Sequence, residues 1–278
     1  MDECPGSITA SIVLYKPDRV ALSRVLESFS NSQSISVTVC VVDNSPSEQL
    51  RAIVEGYGFL YLSRPNNPGF GASHNHAFAK IACNSEYHFI ANPDIRFKAN
   101  DLATLISYMR GNSDVSLVVP KLTYPDGRMQ YNRWLLPSPK NLFLRRFLGN
   151  TDFAKKADHQ YELQFADDSK AMEAPSLAGS FMLVRSSMFR KINGFGEQFF
   201  MYMEDFDLTR RIGRCGKTVY CPSTTIVHEG PRGSYKTGKL LFLHIISAIK
   251  YFNKWGWFFD GERDAINRKT VSTLIAPQ

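Results

Sequence analysis

The sequence has few cysteines and no long apolar segment. Its five cysteines form no CxxC pair and no Cys/His zinc spacing, and their odd number favours reduced thiols in a cytoplasmic protein. The acidic N-terminus, residues 1–5, lacks the apolar segment of a signal peptide. The longest apolar run, residues 240–249, is interrupted by His244 and Ser247 and is shorter than the about 20 residues that a membrane-spanning helix needs. These absences predict that no segment crosses a membrane.

Internal repeats and low-complexity linkers are also absent. The 278 residues are 44% hydrophobic and 21% charged, which is typical of globular proteins and excludes a disordered, collagen-like or coiled-coil chain. A chain of this length can bury a sizeable core as one large α/β domain or as two small domains.

Negative charge is scarce in the last quarter of the chain. Residues 208–278 hold 12 Lys/Arg and 4 Asp/Glu, whereas residues 1–207 hold 21 and 22. The net charge of +7 therefore arises from the C-terminal quarter. This asymmetry indicates either an anionic partner, such as a diphosphate or an anionic membrane, or a solvated basic face. Nucleic acid is disfavoured as the partner, because the segment has no recognition motif or aromatic platform for it.

Apolar, β-branched segments alternate with helical periodicity in the first 120 residues. Strands separated by helices are predicted at residues 7–15, 36–42, 59–62, 87–91 and 115–120. Strands that are apolar along nearly their whole length predict a parallel sheet covered by helices on both faces.

After residue 120 the pattern changes. The sequence there predicts a hairpin turn at 124–127, an irregular stretch at 132–172, an apolar segment at 176–184, a helix at 203–215, short strands at 219–221 and 224–227, and a helix from 235 to about 259.

Three polar clusters follow predicted strands, at Tyr15-Lys16-Pro17, Asp43-Asn44-Ser45 and Asn92-Pro93-Asp94. Each cluster alone is typical of turn and helix-cap chemistry. Ligands of open α/β sheets, however, bind beyond the carboxyl ends of the strands. Three clusters at one sheet edge therefore indicate a binding site.

Two further clusters carry reactive groups. Residues 199–207 place Glu204, Asp205 and Asp207 at the start of a helix among aromatic side chains. The helix dipole alone favours carboxylates there, but an apolar environment also tunes a carboxylate as a base. Residues 228–236 combine His228 with glycines and two cations, a set that suits a diphosphate or a metal–diphosphate.

Six segments in a fixed order make the sequence similar to a known family. They are SIVLYKP, VVDNSP, RPNNPGFGASHNHAF, FIANPDI, LAGSFMLVRSSMFRKINGFGEQFFMYMEDFDLTRRIGRCG and IVHEGPRGS. The sequence resembles the family 2 inverting glycosyltransferases of the GT-A fold, in particular their bacterial rhamnosyltransferase-like branch. The long block with Glu204, Asp205 and Asp207 at its centre is the most specific part of this resemblance.

The resemblance implies an α/β fold of the GT-A type, with a Rossmann-like, mostly parallel sheet, helices on both faces and a C-terminal helical extension. It implies a catalytic domain at residues 1–234, with a nucleotide-sugar-binding half at about 1–120 and an acceptor half at about 121–234. Residues 235–278 are then an amphipathic helical segment.

The resemblance also implies site residues. Asp205 would be the catalytic base, with Glu204 as the alternative. Asp94 and His228 would hold Mg²⁺ or Mn²⁺. Asn92 stands where the family has the first Asp of a DxD-type motif, so this site has one charge fewer and its metal dependence stays open. The residues that would contact the donor are Tyr15, Asp43, Asn67, Gly69, Phe70, Gly71, Asn75, Asn92, Arg232 and Lys236.

The implied activity is inverting transfer of L-rhamnose from dTDP-L-rhamnose to a polyprenyl-diphosphate-linked glycan, in the synthesis of an O-antigen-like bacterial surface polysaccharide. A UDP-hexose or another deoxysugar donor is an alternative. An alternative of another class is a non-catalytic nucleotide-sugar-binding or membrane-scaffolding protein. The implied location is the cytoplasm, peripheral at the inner face of the cell membrane, with an oligomer left open.

The predicted C-terminal helix is amphipathic. At about 100° per residue, Lys236, Lys239, Lys250 and Lys254 form one narrow stripe with Ser247, beside a broad apolar and Trp-rich surface. This pattern is typical of a helix that lies on an anionic membrane. The alternative is a helix packed on the catalytic core with its lysines in solvent.

Overall fold

The first half of the chain alternates strands and helices around one β-sheet. The structure, a computed structural model, describes residues 7–32, 35–82, 84–142, 151–230 and 238–276. The elements of the first half are β1 (Ser7–Leu14), α1 (Arg19–Ser30), β2 (Val37–Asp43), α2 (Arg51–Gly56), β3 (Leu60–Ser63), α3 (Phe70–Ile81), β4 (Ser85–Ala91), β5 (Ile95–Arg96), α4 (Asp101–Gly111) and β6 (Val115–Thr123).

The second half has shorter strands and ends in two helices. Its described elements are β7 (Met129–Gln130), β8 (Arg133–Trp134), α5 (Asp152–Tyr161), β9 (Met172–Glu173), β10 (Ser176–Leu177), β11 (Phe181–Arg185), α6 (Ser186–Lys191), α7 (Glu204–Gly213), β12 (Lys217–His228), α8 (Gly238–Trp255) and α9 (Gly261–Ile275).

The main sheet is mixed, with strand order β3-β2-β1-β4-β11-β6-β12-β5. Strands β3, β2, β1 and β4 run parallel, as do β6 and β12. Strand β11 lies antiparallel between β4 and β6. Strand β7 pairs with β6, β9 pairs with β12, and β8 and β10 form a separate antiparallel pair. The expected GT-A architecture of a largely parallel sheet with helices and a C-terminal helical extension is confirmed.

The register of the sheet brings the predicted polar clusters to one edge. Leu14 pairs with Asp43, and Ile12 pairs with Ala91. The residues that follow β1, β2 and β4 therefore leave the sheet on the same side. His228, the last residue of β12, pairs with Ile95, which places its imidazole beside the cluster that follows β4.

Apolar side chains cover both faces of the sheet. Phe89 of β4 and Val118 of β6 pack in one layer of the core. The next residues, Ile90 and Val119, pack in the layer on the other face of the sheet. Successive residues of a strand point to opposite faces, so a strand buried on both faces must be apolar throughout. This burial explains the near-continuous apolar segments of the sequence.

The apolar segment at 176–184 forms two strands, β10 and β11, which belong to different sheets. Three local expectations are wrong in detail. Part of the stretch expected to be irregular forms α5. The two short strands expected within 219–227 are one strand, β12, whose register shifts between Cys221 and Thr225. The helix expected up to about 259 is described as α8, which ends at residue 255, and α9 follows it. In the first two of these cases pairing or packing with distant residues decides the outcome.

The C-terminal helices pack on α7. Phe199 and Met203, which precede α7, form an apolar cluster with Tyr251 and Phe252 of α8. Across the described ranges, none of the helices combines the length and the hydropathy needed to span a membrane.

Candidate active site

A cavity of about 700 Å³ opens beside the carboxyl edge of the sheet. Its polar lining includes Glu204 and Asp205 at the start of α7, with Asn92 and His228 from the sheet edge. Much of the remaining lining is apolar and comes from α8 and the loop that follows it. These apolar residues are Leu241, Ile245, Ala248, Ile249, Phe252 and Trp257.

The chain enters α7 through two left-handed residues. Tyr202 has φ 69° and Met203 has φ 65°, a conformation that costs a non-glycine residue on the order of 1–3 kcal/mol. Buried Met203 packs with Phe199, which helps to hold the turn. The strained turn sets Glu204 and Asp205 in the first turn of α7, where the helix dipole favours negative charge.

Asp205 is held by backbone amides. Gly179 N donates to Asp205 Oδ2 at 3.1 Å, and Phe206 N donates to Asp205 Oδ1 at 2.9 Å. Burial raises the pKa of Asp205 to about 6, although these hydrogen bonds act to lower it. A carboxylate with this pKa is mostly ionised at neutral pH and is still basic enough to accept a proton.

Glu204 is the neutral neighbour of this carboxylate. Its side chain is buried, and Glu204 Oε2 has no hydrogen-bond partner. Burial and the adjacent charge of Asp205 raise the pKa of Glu204 well above its ordinary value. Two like charges this close repel each other, so the pair holds its negative charge on Asp205 near neutral pH.

Asp94 and His228 face each other at the sheet edge. His228 Nδ1 lies 2.9 Å from Gln130 Oε1. The other ring nitrogen, Nε2, lies 3.2 Å from Asp94 Oδ1 and 3.5 Å from Asn92 Nδ2. Asp94 Oδ1 is buried and has no hydrogen-bond partner. A carboxylate and an imidazole nitrogen this close together can both bind one divalent cation.

The same arrangement limits how a metal could be held. Within the described residues, no group of three or more His, Cys, Asp or Glu side chains could hold a metal ion. Asp94 and His228 can therefore supply two ligands, and further ligands have to come from a bound diphosphate or water. Gly230 closes the site from one side, because a Cβ at Gly230 would lie 2.0 Å from Asp94 Oδ2.

Tyr15 and Asp43 lie where β1 and β2 end, as the sequence predicts. Tyr15 is 50% exposed. Asp43 is buried, and its two carboxylate oxygens accept hydrogen bonds from Ser45 N and from Tyr61 Oη, both at 2.8 Å. The carboxylate of Asp43 thus orders the turn after β2, and a contact between Asp43 and a nucleotide stays a prediction.

The turn at 67–71 packs against the segment that leads to α7. Gly69 has φ 106°, and a Cβ there would lie 2.5 Å from Phe200 O. The amide of Phe70 donates to that same oxygen at 3.0 Å. Asn67 also has a positive φ, 42°. Of the donor-contact residues predicted in this turn, Phe70 lines the 700 Å³ cavity.

Gly71 and Asn75 contact a neighbouring loop at Phe195. A Cβ at Gly71 would lie 2.7 Å from Phe195 Cβ. Asn75 Oδ1 accepts from Phe195 N at 2.8 Å, and Asn75 Nδ2 donates to Phe195 O at 2.9 Å. Asn75 lines a separate cavity of about 600 Å³. The structure therefore does not bring Asn75 together with Asp205, and Arg232 and Lys236 lie outside the described residues.

Three cavity residues were missed by the sequence reasoning. Gly179 lies so close to the candidate base Asp205 that a Cβ at Gly179 would be 3.3 Å from Asp205 Cβ. The sequence feature that could have identified it is a glycine inside an apolar segment. Gln130 Oε1 lies 2.9 Å from His228 Nδ1. Trp134 lies 5.4 Å from the ring of Phe206. No local pattern in the sequence marks Gln130 or Trp134, because their partners are distant in the chain.

Charged contacts fasten α7 to the C-terminal helices. The buried carboxylate of Asp207 accepts hydrogen bonds from Arg211 Nε, Lys254 Nζ and Trp255 Nε1 at 2.8, 2.5 and 2.9 Å. One turn further, Arg210 makes a bidentate contact with Asp260, with both distances 2.8 Å. Helix α7, which carries Glu204 and Asp205, is thus also the helix on which α8 and α9 are anchored.

The polar stripe of α8 is turned toward the protein. Ser247 Oγ donates to Met201 O at 2.7 Å, and Lys250 Nζ donates to Gln198 O at 2.6 Å. Lys254 contacts Asp207. Lys250 and Lys254 nevertheless stay exposed, as the alternative of a helix packed on the core expects. A contact of these lysines with an anionic membrane stays a prediction.

Comparison with known proteins agrees with this geometry. The model of Glycosyl transferase family 2 matches residues 12–192. N-acetylglucosaminyl-diphospho-decaprenol L-rhamnosyltransferase of Mycobacterium tuberculosis is 28% identical over 243 residues, which cover 82% of this chain and 77% of that protein. Rhamnosyltransferase WbbL of Escherichia coli is 29% identical over 244 residues, which cover 83% of this chain and 87% of that protein.

Solved structures agree on the fold. The mannosyltransferase PcManGT from Pyrobaculum calidifontis, solved with GDP-Man and Mn²⁺, superposes with a TM-score of 0.59 at 13% identity and covers 96% of this chain and 74% of that one. The predictions of the fold and of a glycosyl-transferring enzyme are confirmed. The chain belongs to glycosyltransferase family 2.

Proposed function

We propose that this glycosyltransferase moves L-rhamnose from dTDP-L-rhamnose, with inversion, to a lipid-linked glycan in the synthesis of a bacterial surface polysaccharide. Two curated relatives are named rhamnosyltransferases, and the name of one specifies a decaprenyl-diphosphate-linked acceptor. The observation that carries the proposal is one cavity that joins Asp205, His228 and an apolar helix face, with Asp94 beside His228 at 3.2 Å. Such a cavity suits an acceptor with both a sugar and a lipid part.

In the proposed reaction Asp205 is the base. It takes the proton of an acceptor hydroxyl, whose oxygen forms a bond to the anomeric carbon as the bond from that carbon to the diphosphate breaks. One carboxylate is enough, because a single displacement with inversion needs no protein nucleophile. The amides of Gly179 and Phe206 orient Asp205. Because the pKa of Glu204 is raised, Glu204 keeps its proton and the negative charge of the pair is on Asp205.

The leaving diphosphate needs positive charge beside it. Asp94 and His228 would hold Mg²⁺ or Mn²⁺, which when bound stabilises the negative charge that develops on the diphosphate. Asn92 contributes a neutral amide where the family has a carboxylate. The negative charge of this metal site would therefore come from Asp94. Arg232 and Lys236 are proposed as further diphosphate contacts on the basis of the sequence alone.

The two parts of the catalytic domain have different proposed tasks. Residues 1–120, including Tyr15 and Asp43, would bind the nucleotide sugar, and residues 121–234 would bind the acceptor. A lipid-linked acceptor stays in the bilayer, so the enzyme would work at the inner face of the cell membrane, with residues 235–278 at the lipid side.

Donor binding and sugar transfer test this proposal separately. The full-length protein is incubated with dTDP-L-rhamnose, dTDP-glucose or UDP-glucose, and Tm is measured. The correct donor at 100 times its Kd should stabilise the protein by about 2.7 kcal/mol. The same donors are then offered with a short-chain lipid-diphosphate-linked sugar, and NMR of the product reports the anomeric configuration.

We expect dTDP-L-rhamnose to raise Tm and to give an inverted rhamnoside. A Tm shift and product only with UDP-glucose would replace the donor assignment. A Tm shift without transfer to any acceptor would favour a non-catalytic nucleotide-sugar-binding protein.

A further inference from the structure

Helix α8 packs on the protein through its buried residues Ser247, Tyr251 and Phe252. Ser247 donates to Met201 O, and the exposed side chains of Lys250 and Lys254 reach Gln198 O and Asp207. Surface helices of globular proteins normally bury their large apolar side chains. In α8, several large apolar side chains lie instead on the outside of the molecule.

Large apolar side chains are exposed on α8 and just after it. On α8, Phe242, Ile245 and Ile249 lie three and four residues apart, hence on one face, and are 62%, 45% and 42% exposed. After α8, Phe258 and Phe259 are 75% and 97% exposed. We call these five residues the outer apolar face. Large exposed apolar side chains concentrated in one segment indicate an interaction site.

The outer apolar face is continuous with the cavity that holds Asp205. Ile245 and Ile249 belong to both, and Trp257, next to Phe258, also lines the cavity. A molecule that covers this face therefore touches the mouth of the catalytic cavity. A lipid does so without blocking the cavity, because its chain can rest on the face while its polar end enters.

The surrounding charge favours a lipid surface over a second copy of this chain. Residues 238–276 contain six Lys/Arg and three Asp/Glu. Two of those acids, Asp260 and Glu262, already pair with Arg210. Two copies would thus bring like charges together, whereas an anionic bilayer attracts this segment. Trp and Phe beside a basic segment are the composition of an interfacial element.

We infer that the outer apolar face inserts into the lipid bilayer and that a lipid-linked acceptor reaches Asp205 along it, with its hydrocarbon chain still in the membrane. The inference rests on the proposed function for the identity of the acceptor. Lys250 and Lys254 then act as contacts within the protein, and apolar insertion rather than these two lysines holds the enzyme at the membrane.

Vesicle flotation tests the face directly. The full chain is mixed with vesicles of phosphatidylcholine containing one quarter phosphatidylglycerol, at low and at high salt. The double variant Phe258→Ser/Phe259→Ser changes two exposed loop residues outside the cavity lining. Val20→Ser is the matched control, because Val20 is an apolar residue on α1 that is 58% exposed.

We expect the wild type and Val20→Ser to float with the vesicles and to remain largely bound at high salt. The double variant should bind at least tenfold more weakly. Its transfer to a short water-soluble acceptor should be unchanged, and its transfer to a long-chain lipid acceptor in vesicles should fall with its binding.

Three results would overturn the inference. They are a wild type that does not float, complete release of the wild type by salt, and a wild-type dimer that the double variant breaks, since a second copy would then cover the face. The proposed function has its own readout. Transfer by the wild type to the soluble acceptor does not depend on whether the protein binds vesicles.

Discussion

Asp207 and Trp255 are joined by a hydrogen bond of 2.9 Å from the indole Nε1 to a buried carboxylate oxygen. Asp207 lies two residues after Asp205 on α7, and Trp255 is the last residue of α8. This contact links the helix that carries the proposed base to the helix that forms the apolar side of the same cavity. This cavity is thus lined jointly by α7 and α8.

Replacing Asp207 by Asn should loosen this link. The amide keeps one acceptor oxygen for three donors and leaves Arg211 and Lys254 without a counter-charge. Breaking a buried ion pair from one side costs about 3–5 kcal/mol, so the free energy of unfolding should fall by that order. We expect kcat with a lipid-linked acceptor to fall while the Kd of the donor stays the same. Urea unfolding and donor titration measure these effects.

Glu48→Gln is the matched control for that variant. It makes the same change from acid to amide in an exposed pair with Arg51, and exposed pairs contribute about 0–1 kcal/mol. A variant Asp207→Asn that matches Glu48→Gln in stability and keeps full kcat would show that the contact with α8 has no bearing on the site.

Catalysis should depend on pH through Asp205. Its raised pKa of about 6 means that the carboxyl is protonated, and unable to accept a proton, below that pH. We expect kcat to rise about tenfold per pH unit below pH 6 and to level off above it. Rates under donor and acceptor saturation between pH 5 and pH 8 test this. In Glu204→Gln the profile should be unchanged, because Gln mimics the protonated Glu204. A profile that vanishes in Glu204→Gln would move the role of base to Glu204.

Removing the carboxylate of Asp94 should weaken donor binding. Asp94→Ala deletes the carboxylate that lies beside His228 and that would share a cation with it. We expect the donor-induced rise in Tm to shrink in Asp94→Ala, and to shrink in the wild type when EDTA is added. Asp126→Ala, at an exposed turn paired with Arg128, should keep the full rise. Undiminished binding in excess EDTA would show that no divalent metal takes part and that basic side chains alone neutralise the diphosphate.

Strand positions could be predicted because their signal is local. Residues 7–14 and 85–91 are rich in β-branched and aromatic residues, which indicates strands, although Thr9, Ser11 and His88 are buried polar residues among them. The direction of β11 could not be predicted, since it depends on pairing with β4 and β6, far away in the chain. Helix α5 was missed because its segment, DFAKKADHQY, is mostly polar.

The same division holds for the site. Glu204 and Asp205 could be singled out because two adjacent acids precede a helix in an aromatic segment. The partnership of His228 with Gln130 spans 98 positions and leaves no local pattern. The stripe of α8 was visible in the sequence, but the contacts of Ser247 and Lys250 were not, because Met201 O and Gln198 O are backbone acceptors that any residue could supply.

The measurement that tests the central claim most directly is transfer by Asp205→Asn under conditions where donor binding is measured on the same sample. Asn preserves the shape of the side chain but cannot accept the proton, and loss of a general base typically costs about 10²–10⁴-fold in rate. We predict a loss of kcat in that range with an unchanged donor Kd. An Asp205→Asn variant that retains near-normal turnover would contradict the assignment of Asp205 as the base.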